Sequence, residues 1–239
     1  MKSFQYSLCL DAFVCQSGSH WIILHSRRDE YLCIAQSDVE SIAPWLHGLA
    51  CEHGATSRAA PTGSVQTLLG KLMSRGILEG EGIAGKPFSR VIYDAPTSSL
   101  SGTEDSDRTA LSVASSARLM SSLLAADWRL RARSLASTLR AVTQRRQRKG
   151  SRSSRFYLNS TPSLLRTFNR LRPLYPRDYL CIFDSLALAT FLGGYGMFPR
   201  WVFGVIAEPF LAHCWLQEGS VIIGDDLERV LAYTPIMVV

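Results

Sequence analysis

The sequence predicts an α+β fold divided between two domains. Short apolar runs joined by tight turns open the chain. Apolar residues at helical spacing fill the middle. Three further strand-like runs close it after a glycine pair. With 46% apolar and 19% charged residues over 239 positions, the chain has the material for a real core. That balance excludes wholesale disorder, a collagen-like repeat and a long coiled coil. No internal repeat is present.

Phe4 to Val14 is apolar and aromatic and reads as the first strand. Gln16-Ser17-Gly18-Ser19 supplies turn residues, and His20 to His25 a second strand. Arg27-Arg28-Asp29 turns into a third, Glu30 to Ile34. Connections this short predict an antiparallel meander. Ser37 is placed as a helix N-cap, with Glu40 completing a capping box. Ile42, Trp45, Leu46 and Leu49 then keep helical spacing. Ser64 opens another helix, with Val65, Leu68, Leu69 and Leu72 on one face and Gly76 as its C-cap. Ile77-Leu78-Glu79 leads into a glycine-rich wing. This order of strands, helices and wing resembles a winged helix-turn-helix, expected over residues 1–88.

Ala95 to Asp107 is rich in Ser, Thr, Pro, Gly and acid, so a linker is expected over residues 89–108. The second domain, residues 109–239, begins with two helices between Thr109 and Arg148. Leu119, Leu123, Leu124 and Trp128 form one apolar set, and Leu135, Leu139 and Val142 the other. Gly150 to Ser154 interrupts them. Thr161-Pro162 is read as an N-cap followed by a first-turn proline. Leu164, Leu165, Phe168 and Leu171 face the core, and Pro173 and Pro176 end the helix. Tyr179 to Leu192 is an apolar helix stopped by Gly193-Gly194. Trp201 to Glu208, Ala212 to Gln217 and Ser220 to Ile223 read as strands. Helices packed on an antiparallel sheet are therefore expected.

The formal charge of +6 is unevenly spread. From Trp128 to Arg177 there is no Asp or Glu, and 14 of the 26 basic residues lie there. The remainder carries 12 basic against 20 acidic residues, so the basic character is local. A solvated helical face is the favoured reading, and a docking surface for an acidic partner the sharper one. No CxxC pair and no zinc-finger spacing occurs among Cys9, Cys15, Cys33, Cys51, Cys181 and Cys214. No metal or cofactor is expected. Asp184 and three glycines break the best membrane-span candidate, Cys181 to Phe198, and the N-terminus lacks secretory-signal features. A reduced, cytoplasmic protein without membrane insertion is expected.

A nucleophilic cysteine needs a base, and the base an orienting acceptor. Cys181 opens a helix, whose unpaired N–H groups and partial positive charge favour a thiolate. His213 lies on the second of the closing strands, and Asp225 directly follows the third. The hairpin can bring Asp225 to His213. Asp226 is a rival on the same logic. Cys214 is expected to point away from the site, because successive strand residues face opposite sides. Asp184 is assigned the favourable charge of a helix first turn. Cysteine, histidine and aspartate on helix, strand and strand end are the layout of papain-like and transglutaminase-like enzymes.

The segment Leu180-Cys181-Ile182-Phe183-Asp184-Ser185-Leu186-Ala187-Leu188 resembles the Cys-x-x-x-Ser-Leu-Ala-Leu signature of lasso-peptide leader peptidases. Pro209-Phe210-Leu211-Ala212-His213-Cys214-Trp215-Leu216 is similar to their Ala-His-Ala-Trp-Val block, with Cys214 in place of the usual Ala. Ile223-Gly224-Asp225-Asp226 and Tyr233-Thr234-Pro235 resemble their ending, with Gly224 in place of Asn. The resemblance implies a papain/transglutaminase-like cysteine peptidase domain with Cys181, His213 and Asp225 as catalytic residues. It implies an N-terminal leader-recognition domain fused to it. The leader would add as a strand along Tyr31, Leu32, Cys33 and Ile34, against a helix presenting Leu68 and Leu72. The implied partners are a lasso precursor peptide and an asparagine-synthetase-like macrocyclase.

Two rival functions remain open on the sequence. One is a non-catalytic winged-helix module that binds DNA or peptide. Lys71 and Arg75 alone on the helix Ser64 to Gly76, and an Arg-rich stretch in the other domain, weigh against nucleic acid. The other rival keeps Cys181, His213 and Asp225 but transfers the acyl group to an amine.

Overall fold

The computed structural model describes residues 6–49, 60–80, 84–101, 112–149 and 154–239. The chain divides into two compact units. The first comprises Met1–Ile92 with Val205–Leu211 and Thr234–Met237. The second comprises Tyr93–Gly204, Ala212–Tyr233 and Val238–Val239.

The first unit begins with β1 (Ser7–Leu8) and β2 (Ala12–Ser17), where one strand was expected. The Ala12 N–H bonds back to the Cys9 carbonyl at 3.0 Å and breaks the run. β3 (His20–His25) and β4 (Glu30–Ala35) complete an antiparallel meander of order β2-β3-β4, as the turn chemistry predicts. Gly18 takes the tight turn at φ +59° and Asp29 the next at +54°. α1 (Gln36–Ile42) starts without the expected capping box: Ala35 is the N-cap and offers no side-chain bond. Gln36 instead donates to Glu40 at 2.7 Å. α1 stops early because Pro44 forces a 3-10 turn at Ala43–Trp45, leaving Leu46 extended. The structure of Leu49 is described, but the expected helical run through it is absent.

α2 (Gly63–Ser74) ends in a Schellman motif. Gly76 at φ +69° donates to Met73 at 2.8 Å, and Ile77 to Leu72 at 2.9 Å. β5 (Leu78–Glu79) then pairs antiparallel with β1. Leu8, Val14, Trp21, Ile23, Ile42 and Phe88 are central to this unit's core, where Leu69 and Leu72 of α2 also pack. The tip of the glycine-rich segment, residues 81–83, lies outside the described residues.

The second region begins with a strand in the expected linker, β6 (Ser98–Leu100). α3 (Val113–Ala132), α4 (Leu135–Lys149) and α5 (Ser154–Leu171) follow. On α3, Leu119 and Leu123 are buried with Ala126, but Leu124 and Trp128 are 59% and 58% exposed. One residue turns a helix by about 100°, so Leu124 cannot share the face of Leu123. The expected start at Thr161-Pro162 is also corrected: α5 already runs through Pro162. The Thr161 hydroxyl points to Met197 Sδ, 3.8 Å away, rather than to a helix end. The interruption expected at Gly150 to Ser154 lies largely outside the described residues.

α6 (Cys181–Gly193) is buried over most of its length, with Phe183, Leu186, Ala187, Phe191 and Leu192 inaccessible. Then come β7 (Arg200–Ile206), β8 (Leu211–Glu218), β9 (Val221–Ile223), α7 (Leu227–Leu231) and β10 (Thr234–Val238). The sheet has the order β10-β7-β8-β9-β6. β8 and β9 are antiparallel, but β6 lies parallel to β9, pairing Ser98 with Val221 and Leu100 with Ile223. The sheet is thus mixed rather than purely antiparallel. Among the described residues, no helix is long and apolar enough to cross a membrane.

Candidate active site

The start of α6 and the sheet strands beside it position the site. Leu180 is extended and caps α6 without a side-chain bond, so Cys181 stands in the first turn. There the helix N–H groups lack intrahelical partners. Ser185, one turn on, anchors the helix to the sheet. Its hydroxyl donates to the Cys181 carbonyl at 2.5 Å, accepts from the Trp201 indole at 2.8 Å and lies 3.3 Å from Cys214 Sγ.

β8 carries His213 and Cys214 side by side. Strand alternation turns His213 to the Trp215 side, with ring centroids 6.1 Å apart, and toward Tyr233 at 5.2 Å. His213 Nε2 donates to Asp225 Oδ2 at 2.6 Å. The ring nitrogen left for Cys181 is Nδ1. The two aspartates separate cleanly. Asp225 receives His213 and also accepts from the Asp226 N–H at 2.8 Å. Asp226 is the N-cap of α7 and accepts from Arg229 N at 3.0 Å. Gly224 at φ +75° makes the turn between β9 and Asp225. A Cβ there would stand 2.6 Å from Leu188 Cδ2, so the position admits no side chain without a shift.

Cys214 departs from the expectation that it lies away from the site. It does point to the opposite side of β8 from His213, onto Ser185. Yet α6 begins where β8 passes it, so the Cys181 thiol meets both neighbours. Hydrogen bonding from the Cys214 side chain is the main force lowering the Cys181 pKa, burial opposes it, and His213 adds to it; the result is about 4. Burial lowers the His213 pKa, but hydrogen bonds to Asp225 and Cys181 outweigh it and raise the value to about 9. Burial pushes Asp225 up, and the His213 bond wins, holding it below the usual carboxylate range. Burial and the Cys181 neighbour drive the Cys214 thiol well above its ordinary value. The stable form at neutral pH is therefore a Cys181 thiolate beside a His213 imidazolium.

These groups border a cavity of about 460 Å³ within the second unit. Phe168, Tyr179, Leu188 and Leu216 give it apolar walls, and Asn169 and Arg229 polar ones. A thiolate at a helix start, a cationic imidazole and an orienting carboxylate on one cavity can attack a carbonyl and protonate its leaving group.

The residues suggested for leader contact all lie in the first unit. β4 is an edge of its three-stranded sheet. Cys33 is exposed, while Tyr31, Leu32 and Leu68 are half-buried. Ile34 and Leu72 are core residues, 7% and 2% exposed, so their side chains face the unit's interior. Among the described residues, no cluster of three metal-ligating side chains occurs.

Part of the basic stretch is built in rather than solvated. Arg172 is only 2% exposed. Arg146 donates to the Phe198 carbonyl at 3.1 Å, and the Arg145 guanidinium lies 5.4 Å from the Phe198 ring centroid. Asp184 does more than charge a helix start, since it forms an ion pair with Arg172.

Helix-borne cysteine with histidine and aspartate on an adjoining sheet defines the class of cysteine-dependent enzymes that work through an activated thiolate. Residues 120–238 match the family model described as the transglutaminase-like superfamily, and the C-terminal part of the chain is a transglutaminase-like domain. Members of that superfamily are typically cysteine-dependent enzymes. No curated protein and no solved structure matches the chain.

Proposed function

We propose that this protein is a cysteine peptidase that removes the leader from a ribosomally made lasso-peptide precursor. The observation that carries the proposal is the Cys181–His213–Asp225 cluster on its cavity. The segments around Cys181, His213 and Asp225 that resemble lasso leader peptidases supply the substrate class.

In this reading the Cys181 thiolate attacks the scissile carbonyl, forming a C–S bond and a tetrahedral oxyanion. His213, already protonated, gives its proton to the departing core amine as the C–N bond breaks. The leader is left as a thioester on Cys181. His213 then takes a proton from water, which attacks the thioester and releases the leader carboxylate and the thiolate. Asp225 keeps the imidazole oriented and stabilises its cation. The freed core amine would pass to a separate ATP-using macrocyclase.

The first unit would act as a winged-helix leader-recognition domain. The place of β4 at the end of the β2-β3-β4 order supports this, because an extended peptide can add to an outer strand through main-chain hydrogen bonds. Tyr31, Leu32 and Cys33 would flank the added strand, with Leu68 of α2 beside it. Ile34 and Leu72 would shape the groove from beneath.

The test is incubation of precursor with wild type and with Cys181→Ala, followed by mass spectrometry of leader release. Loss of cleavage in the variant is expected, and wild-type cleavage by Cys181→Ala would end the proposal. A second reading, acyl transfer from the same thioester to an amine, uses the same residues. Transfer of the leader to added amines in place of hydrolysis would favour it.

A further inference from the structure

Arg172 sits at the first residue of the 3-10 turn that follows α5, and it is almost wholly buried. A buried guanidinium is costly unless its donors are satisfied. Here they are. Its Nε pairs with the Asp184 carboxylate in the first turn of α6. Its terminal nitrogens donate to the carbonyls of Tyr175 at 3.4 Å, Arg177 at 3.0 Å and Asp178 at 2.9 Å. The guanidinium plane covers the rings of Tyr179 at 4.5 Å and Phe183 at 4.9 Å. Every one of these partners lies on the loop leading into Cys181 or on the first turn that Cys181 opens.

The loop is also held by the Arg177–Asp127 ion pair and by Tyr175 stacked on Phe183. Pro173 and Pro176 remove backbone donors, and Leu174 and Tyr179 are 72% and 68% exposed. One planar fork joins three carbonyls of this loop to one helical carboxylate. Lysine, a point charge with no fork, cannot reproduce that set. Asp184 has a second consequence. Its carboxylate and the Cys181 thiolate repel each other, and Arg172 neutralises the carboxylate.

We propose that Arg172 is a positioning residue for Cys181: it clamps the 175–178 loop to the first turn of α6, fixes the thiol over the cavity and shields it from Asp184. The inference rests on Cys181 being the nucleophile of the proposed peptidase.

The test uses the full chain with Arg172→Lys, Arg172→Met and Asp184→Asn. Steady-state precursor cleavage is measured with the pH dependence of Cys181 alkylation by iodoacetamide, followed at that residue by peptide mass spectrometry. Misplacing a nucleophile by about 1 Å costs about 100-fold, so kcat should fall by that order in Arg172→Met while KM stays within about threefold. The alkylation midpoint should rise by about one pH unit in Arg172→Met, as an unpaired Asp184 faces the thiolate. Adding Asp184→Asn should return the midpoint toward wild type without restoring kcat. A folded Arg172→Met with wild-type kcat and midpoint overturns the inference, as does a loss confined to KM. Should Arg172→Met not fold, Arg172→Lys decides by the same readouts: a lowered kcat supports the clamp, and wild-type kcat overturns it. The alkylation midpoint needs no precursor. It judges Arg172 even if Cys181→Ala proves that another group cleaves.

Discussion

At the scale of single residues, the thiol and the imidazole titrate far apart and in the reverse of their free order. The active ion pair exists above the Cys181 pKa of about 4 and below the His213 pKa of about 9. Cleavage measured as kcat/KM across pH should therefore rise through about 4, stay level, and fall through about 9. An activity maximum confined to a narrow band near pH 7 would contradict that ordering. Cys214 is the largest support of the low thiol value, so Cys214→Ala should shift the acid limb upward, read from the same profile. The aspartates should also part. Asp225→Ala should cost about 100-fold or more in kcat, while Asp226→Ala loses a helix cap worth about 1 kcal/mol and little activity. A kcat loss in Asp226→Ala exceeding that in Asp225→Ala would reverse the assignment. The places of Cys181 at a helix start, His213 on a strand and Asp225 just after one were legible in the sequence, because each such position carries a local signal. The place of Cys214 beside the Cys181 thiol was not. Alternation says only which side of a strand a residue faces, and α6 begins where its first thiol meets both sides.

Among elements, the β9–α7 connection has little room for change. Gly224 combines a left-handed φ of +75° with a would-be Cβ contact of 2.6 Å to Leu188. Gly224→Ala should destabilise by about 1–3 kcal/mol in urea unfolding. It should also lower kcat by displacing Asp225. An unchanged midpoint of unfolding would show that the turn relaxes freely. Two elements were well anticipated. β3 matches its expected bounds, and α6 begins and ends within two residues of expectation, because apolar runs, turns and glycines coincide there. β6 was missed because Ser98–Leu100 is short and polar and resembles a linker. Its strand character comes from β9, a partner far away in sequence. α1 was overextended because apolar spacing carried through Pro44, whose ring ends the helix.

For the whole molecule, the formal charge of +6 is a weak guide. The arginines divide into those that hold structure and those that meet solvent. Arg148 is exposed, whereas Arg146 holds the Phe198 carbonyl. Arg148→Glu should leave the thermal midpoint nearly unchanged, within about 0.5 kcal/mol, and Arg146→Glu should cost about 1–3 kcal/mol. Equal shifts for the two would return the stretch to one solvated face. The change in residue pattern along the chain gave the expectation of domains at 1–88 and 109–239. That segments 205–211 and 234–237 group with the first unit was not legible, since nothing local in those residues signals it.

The parallel pairing of β6 with β9 sets an order of events for a chain that has just begun to fold. The Gly224 N–H bonds the Leu100 carbonyl at 2.8 Å, so the turn bearing Asp225 is held by a strand from the start of the second unit. Bringing those ends together closes a very long loop, which is slow compared with forming the helices inside it. Helical signal should then recover early in refolding, while the His213–Asp225 pairing waits for closure. The nascent protein would pass through a helical stage whose thiol is present but not yet armed.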